Sequence, residues 1–128
     1  MTDGGMAAEG KDDSSIPIPL SEARRERYDF AVTFSRGELD QILRVYGVMV
    51  AAGEWRDYAI DHLRDQAVFS VFRRSSEVPM FRITKMPKLR ARQGAYSVIA
   101  ASGQILKRGH DLARVLGVFD RHLRLVKA

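Results

Sequence analysis

The chain has 128 residues and a net charge of +5, with 45% hydrophobic residues, which suits one ordinary core and no more than one comfortable domain. It has no cysteine, which excludes disulfides, thiolate catalysis and thiolate-bound zinc or iron–sulfur sites. Residues 1–72 carry eight Lys/Arg against thirteen Asp/Glu, whereas residues 73–128 carry thirteen against three, an asymmetry that points to an acidic partner for the second half or to attraction between the halves.

Residues 1–26 read as a disordered tail. Gly4, Gly5 and Gly10 loosen it, and Asp12, Asp13, Ser14 and Ser15 solvate it. The piece IPIPL favours extended geometry because of Pro17 and Pro19. A basic region followed by an apolar run is missing at the start, so no signal peptide is expected. Nor does any stretch reach the ~18 apolar residues of a membrane helix. The lack of cysteine fits a reducing cytoplasm, and that location, off the membrane, is the expectation.

From residue 27 onwards a single domain is expected. In YDFAVTF, Tyr28, Phe30, Val32 and Phe34 alternate with smaller or polar residues, the pattern of a half-buried strand. Ser35-Arg36-Gly37-Glu38 fits a capping box. Leu39, Ile42, Leu43, Tyr46 and Val50 follow at helical spacing, and Gly53 stands where a helix C-terminus turns. The spacing predicts a helix over roughly 36–52.

The period then returns to two. DYAIDHL and AVFSVFRR flank Arg64-Asp65 as a hairpin. PMFRITK is the next strand, with Phe81 and Ile83 inward and Arg82 and Thr84 outward. Pro87 opens a flexible basic loop. AYSVIAA and QILK make a second hairpin about Ser102-Gly103, and Leu112, Val115, Leu116, Phe119 and Leu123 form an amphipathic helix with Asp111 as its N-cap. The expected class is α+β: a mostly antiparallel sheet of five to six strands, two amphipathic helices on one face, in the order β-α-β-β-β-β-β-α.

The segments AAGEWRDYAIDHL, AVFSVFRRSSEVP, QGAYSVIAASGQILKRGHDL and VFDRHLRLV resemble a family of small alphaproteobacterial proteins designated a domain of unknown function, DUF2794. The resemblance runs from about Tyr28 to Val126 and implies a bacterial, soluble, cytoplasmic protein. It implies no activity, cofactor or catalytic residue.

Function is therefore sought in the residues themselves. Between Glu77 and Asp111 there is no carboxylate. Arg73, Arg74, Arg82, Lys85, Lys88, Arg90, Arg92, Lys107 and Arg108 are candidates for phosphate contacts, and Tyr96 is the candidate ring for stacking a base of single-stranded RNA or DNA. The alternative for these cations is a solvated surface, or one paired with the acidic half. LKRGHDL precedes a helix N-terminus, which favours an anion, but Asp111 as N-cap would occupy those amides and repel one.

In GEWRDY, Trp55 is expected to pack beneath the helix end with its indole N–H bonded to a carbonyl. Arg56 and Asp57 are the candidates for protein contact. His62, His110 and His122 have no metal-ligand spacing, and no nucleophile elbow or phosphate-cradling loop is present. The expectation is a non-catalytic domain without metal or cofactor that binds RNA, DNA or an acidic protein. A homodimeric or other protein-interaction module is the alternative.

Overall fold

The computed structural model describes residues 31–74 and 78–127, with side chains through Arg121. These residues belong to the unit Ala31–Ala128. The tail of residues 1–26, its IPIPL piece, and Tyr28 and Phe30 of the first expected strand lie outside the described residues. The elements are helix α1 (Arg36–Ala51), strands β1 (Asp57–His62), β2 (Ala67–Phe72) and β3 (Phe81–Lys85), a 3₁₀ turn (Pro87–Leu89), strands β4 (Tyr96–Ala100) and β5 (Ile105–Gly109), and helix α2 (Leu112–Lys127). The fold is α+β. Among the described residues no helix is long and apolar enough to cross a membrane.

Helix α1 begins where the capping box places it. The amide of Glu38 donates to Ser35 Oγ at 3.1 Å, and the amide of Ser35 donates to Glu38 Oε1 at 2.7 Å. It ends in a Schellman turn: Gly53 N–H donates to the Val50 carbonyl and Glu54 N–H to that of Met49, both at 2.9 Å. Gly53 takes φ +79°, which suits glycine.

The five strands pair antiparallel in chain order, β1-β2-β3-β4-β5. Only two residues, Arg64 and Asp65, separate the Leu63–Gln66 backbone bond that closes the first hairpin. The β4–β5 hairpin closes through Ala100 and Gln104 with Gly103 at φ +93°, the three-residue loop that needs a left-handed residue at its end. A bulge follows, since Val98 faces Lys107 while Ile99 faces Ile105.

The core lies on one face of the sheet. Phe69, Ile83 and Val98 form a cross-strand row there, each fully buried. Ile42 and Met49 of α1 and Leu112, Val115, Leu116 and Phe119 of α2 pack on it with Phe34 and Trp55. Burying each large side chain contributes about 1.5–3 kcal/mol. On the opposite face, Val68, Thr84 and Ser97 form another row. Thr84 points away from the helices as the alternation requires, yet it is 2% exposed and shares a 2.5 Å hydroxyl hydrogen bond with Ser97. Its expected exposure is thus corrected: a satisfied hydroxyl can be buried at little penalty.

One element departs from expectation. Residues 31–34 form no strand. Val32 N–H instead donates to the carbonyl of Leu63 in the first hairpin turn, and Phe34 drops into the core. Alternating hydrophobicity reports one-sided burial, and here the segment achieves that burial at the end of the sheet without joining its ladder.

Candidate nucleic-acid interface

The loop between β3 and β4 is folded, contrary to the flexible loop its composition suggests. Met86 is extended, as a residue before proline must be. Pro87 then starts the 3₁₀ turn, and Leu89 and Arg90 amides bond back to Met86 and Pro87. Arg92 and Gly94 amides both donate to the Leu89 carbonyl, at 3.0 and 2.9 Å. Met86 N–H closes the base of the loop on the Ala95 carbonyl at 2.7 Å. Gly94 sits at φ +102°, and a Cβ there would lie 2.2 Å from the Gly109 carbonyl carbon. The loop is therefore seated directly on the end of β5, and only glycine fits the seat.

From this frame Lys88, Arg90 and Arg92 project into solvent. Among the described residues none of the three has an ion pair with a carboxylate. Arg108, at the adjacent end of β5, joins them: its Nη1 donates to Gln93 Oε1 at 2.6 Å.

Other candidate residues are placed differently. Lys85 and Tyr96 face each other across β3 and β4, on the helix side of the sheet. Lys85 Nζ donates to Glu38 Oε1 at 2.8 Å and to the Thr33 carbonyl at 2.9 Å. The Tyr96 hydroxyl donates to Glu38 Oε2. Side-chain exposure is only 16% for Lys85 and 13% for Glu38. One carboxylate of α1 thus engages both residues.

The electrostatics follow from that geometry. Burial pushes the Tyr96 hydroxyl up to about 12, the hydrogen bond and charge of Glu38 add to the rise, and the Arg90 charge opposes it. Burial would raise the Glu38 carboxyl, but the bonds from Lys85, Tyr96 and the Ser35 amide outweigh it and hold the carboxyl below its ordinary value.

Arg73 and Arg74 follow β2 at the other end of the sheet. Ala67, at the start of β2, pairs with Lys85 beside the loop. Six further residues at ~3.3 Å each place Arg73 about 20 Å away. Its guanidinium lies 3.8 Å from Glu54. Arg82 is half-buried on the face away from the helices, between Ser70 and Ile99. Lys107 is exposed on edge strand β5. The nine cations do not form one patch.

At the start of α2, Asp111 Oδ1 accepts from the Ala113 amide at 3.0 Å, so an anion approaching there meets a carboxylate. Trp55 is buried at 1% exposure, T-shaped against Phe119 with centroids 4.9 Å apart. Its indole N–H has no hydrogen-bond acceptor among the described residues, so the expected carbonyl bond is not made: apolar rings surround the position. Arg56 and Asp57 are exposed at the start of β1, where Asp57 Oδ1 accepts from the Tyr58 amide at 2.8 Å. Among the described residues no group of His, Asp and Glu is gathered as a metal site would require.

Sequence reasoning missed two residues that shape this end of the molecule. Glu38 is visible in the sequence as a capping residue, but its hold on Lys85 and Tyr96 spans 47 and 58 positions and leaves no local signal. Gly94 is visible as a loop glycine, and only the contact with Gly109 explains why it must be one.

No curated protein and no solved structure matches the chain. The family described as protein of unknown function (DUF2794) matches residues 32–116, a span that runs from the segment before α1 through the whole sheet and the basic loop into α2. The chain belongs to that family.

Proposed function

We propose that this chain is a small non-catalytic cytoplasmic domain that binds RNA or DNA by its phosphates, through the folded loop of residues 86–95. The observation that carries the reading is the set Lys88, Arg90 and Arg92. These cations are exposed, have no carboxylate ion pair among the described residues, and stand on a backbone fixed by its own hydrogen bonds. A cation already positioned loses less conformational freedom on meeting a phosphate than one on a loose chain. Arg108 adds a fourth charge at the same end. Lys85 and Tyr96 take no direct part in this reading, because Glu38 holds them.

The test is a pair of charge reversals read by fluorescence anisotropy with labelled nucleic acid. Reversing Lys88, Arg90 and Arg92 together should weaken binding by about two orders of magnitude or more at low salt. Reversing Arg73 and Arg74, at the far end of the sheet, should change it by less than about fivefold, through long-range charge alone. Equal losses from the two variants would remove the loop from the account.

A further inference from the structure

We infer that β1 is a docking edge for a second copy of this chain, the two β1 strands pairing antiparallel about a twofold axis at Ile60.

The two edges of the sheet are built differently. β1 and β5 are the edge strands, and an edge offers its backbone donors and acceptors to any other strand. β5 is blunted. A bulge leaves Leu106 as an extra residue between the pairs Val98–Lys107 and Ile99–Ile105. Lys107 and Arg108 put charge along the strand, and the basic loop is seated on its end at Gly109. Bulges, lysines and covering loops are the means by which proteins keep edges apart. β1 has none of them. Asp57–His62 pair with β2 in unbroken register, and no Lys or Arg lies among them. All are exposed but Ile60, which is half-buried.

The backbone fixes which registers a second β1 can take. Leu63 N–H donates to the Gln66 carbonyl at 2.8 Å, and hydrogen-bonded pairs alternate with open ones along an antiparallel ladder. With His62 opposite Ala67 and Asp57 opposite Phe72, Asp57, Ala59 and Asp61 turn their backbone groups towards β2. Tyr58, Ile60 and His62 turn theirs outward. A copy related by a twofold axis perpendicular to the sheet must match outward residues to outward residues, so the axis passes through a residue.

Charge selects that residue. Centred on Ala59, the pairing sets Asp57 against Asp61 of the second copy. Centred on Asp61, it sets that carboxylate against its own counterpart. Like charges directly opposite are destabilising. Centred on Ile60, it sets Ile60 on Ile60, Tyr58 on His62 and Ala59 on Asp61 of the second copy, with no like charges opposed within β1. The strand is then complementary to itself, as a twofold contact requires. The contact is short, so the dimer is weak and concentration-dependent.

The experiment is sedimentation equilibrium of the full chain across a concentration series at physiological salt, for the native protein, Ala59→Lys and Ala59→Asp. Ala59 is exposed on the face away from the helices, opposite Ser70, so both variants keep the fold, which circular dichroism checks. Each copy's residue 59 faces the other's Asp61, so each substitution acts twice. Two such charge pairs change the dissociation constant by about two- to thirtyfold. The expected result is a native monomer–dimer equilibrium, tightened by Ala59→Lys and weakened by Ala59→Asp. A native chain that stays monomeric throughout would overturn the inference. So would a dimer indifferent to both substitutions, which would form through another surface. Weakening by Ala59→Lys would overturn the Ile60 axis, since the pairing centred on Ala59 sets residue 59 against itself.

Discussion

Gly94 and Gly103 offer a matched pair for testing how the basic loop is held. Both have positive φ, +102° and +93°. An alanine Cβ at Gly103 meets nothing within 4 Å, whereas at Gly94 it would lie 2.2, 2.3 and 2.7 Å from the carbonyl carbon, oxygen and Cα of Gly109. Those are backbone atoms of β5, paired to Tyr96 in the ladder, so they cannot swing aside as a side chain would. At either site, left-handed backbone costs an L-residue about 1–2 kcal/mol. At Gly94 the loop must also lift from β5. That endangers the bonds from Gly94 N–H to Leu89 and from Met86 N–H to Ala95, each contributing about 1 kcal/mol. The expected losses are about 1–2 kcal/mol for Gly103→Ala and about 3–5 for Gly94→Ala. In a domain of this size they correspond to Tm decreases of about 10 °C and about 20 °C or more. Thermal denaturation followed by circular dichroism measures both. Equal decreases would refute the close seating of the loop on β5.

Further predictions concern the two polar clusters. Because Tyr96 is raised from 10.0 to about 12 in the folded chain, its stabilisation is complete below pH 10 and is lost as pH rises through 12; Tyr96→Phe should flatten the stability profile across that window, and an unchanged profile would count against the Glu38 bond. Glu38 shifts the other way, so its contribution is present above its ordinary value of 4.5 and is lost as pH falls through its lower folded value. Glu38→Gln should accordingly reduce the loss of stability on acidification, measured by urea denaturation at several pH values. For the Thr84–Ser97 hydroxyl pair, Thr84→Val or Ser97→Ala alone should lose about 1–3 kcal/mol by leaving a buried partner unmatched. The double variant should lose less than the sum, and strict additivity in denaturant melts would mean that the two hydroxyls do not interact.

The parts of the fold that the sequence announces are those with local causes. Ser35 and Glu38 announce the start of α1, Gly53 its end, and Gly103 the second hairpin, because each acts on neighbours a few residues away. In AVTF, the described part of the first expected strand, alternation marks a buried side, and Phe34 finds its burial without strand pairing. The basic stretch misleads for a different reason. In a meander each strand reverses direction, so residues after β2 and residues after β3 must lie at opposite ends of the sheet. Arg73 and Arg74 are thereby parted from Lys88, Arg90 and Arg92. Lys85 and Tyr96 count as free cation and free ring only until α1 brings Glu38 between them, a contact that spacing along the chain does not encode.

The central claim is that Lys88, Arg90 and Arg92 contact phosphates, and its most direct test is the salt dependence of duplex binding by the native chain and by the variant with all three residues replaced by alanine. Three or four phosphate contacts predict a slope of log K against log salt of about −3 to −4 for the native chain. Removing three of them should bring the slope to about −1 or abolish binding altogether. A native affinity indifferent to salt, or a variant with the native slope, would contradict the account.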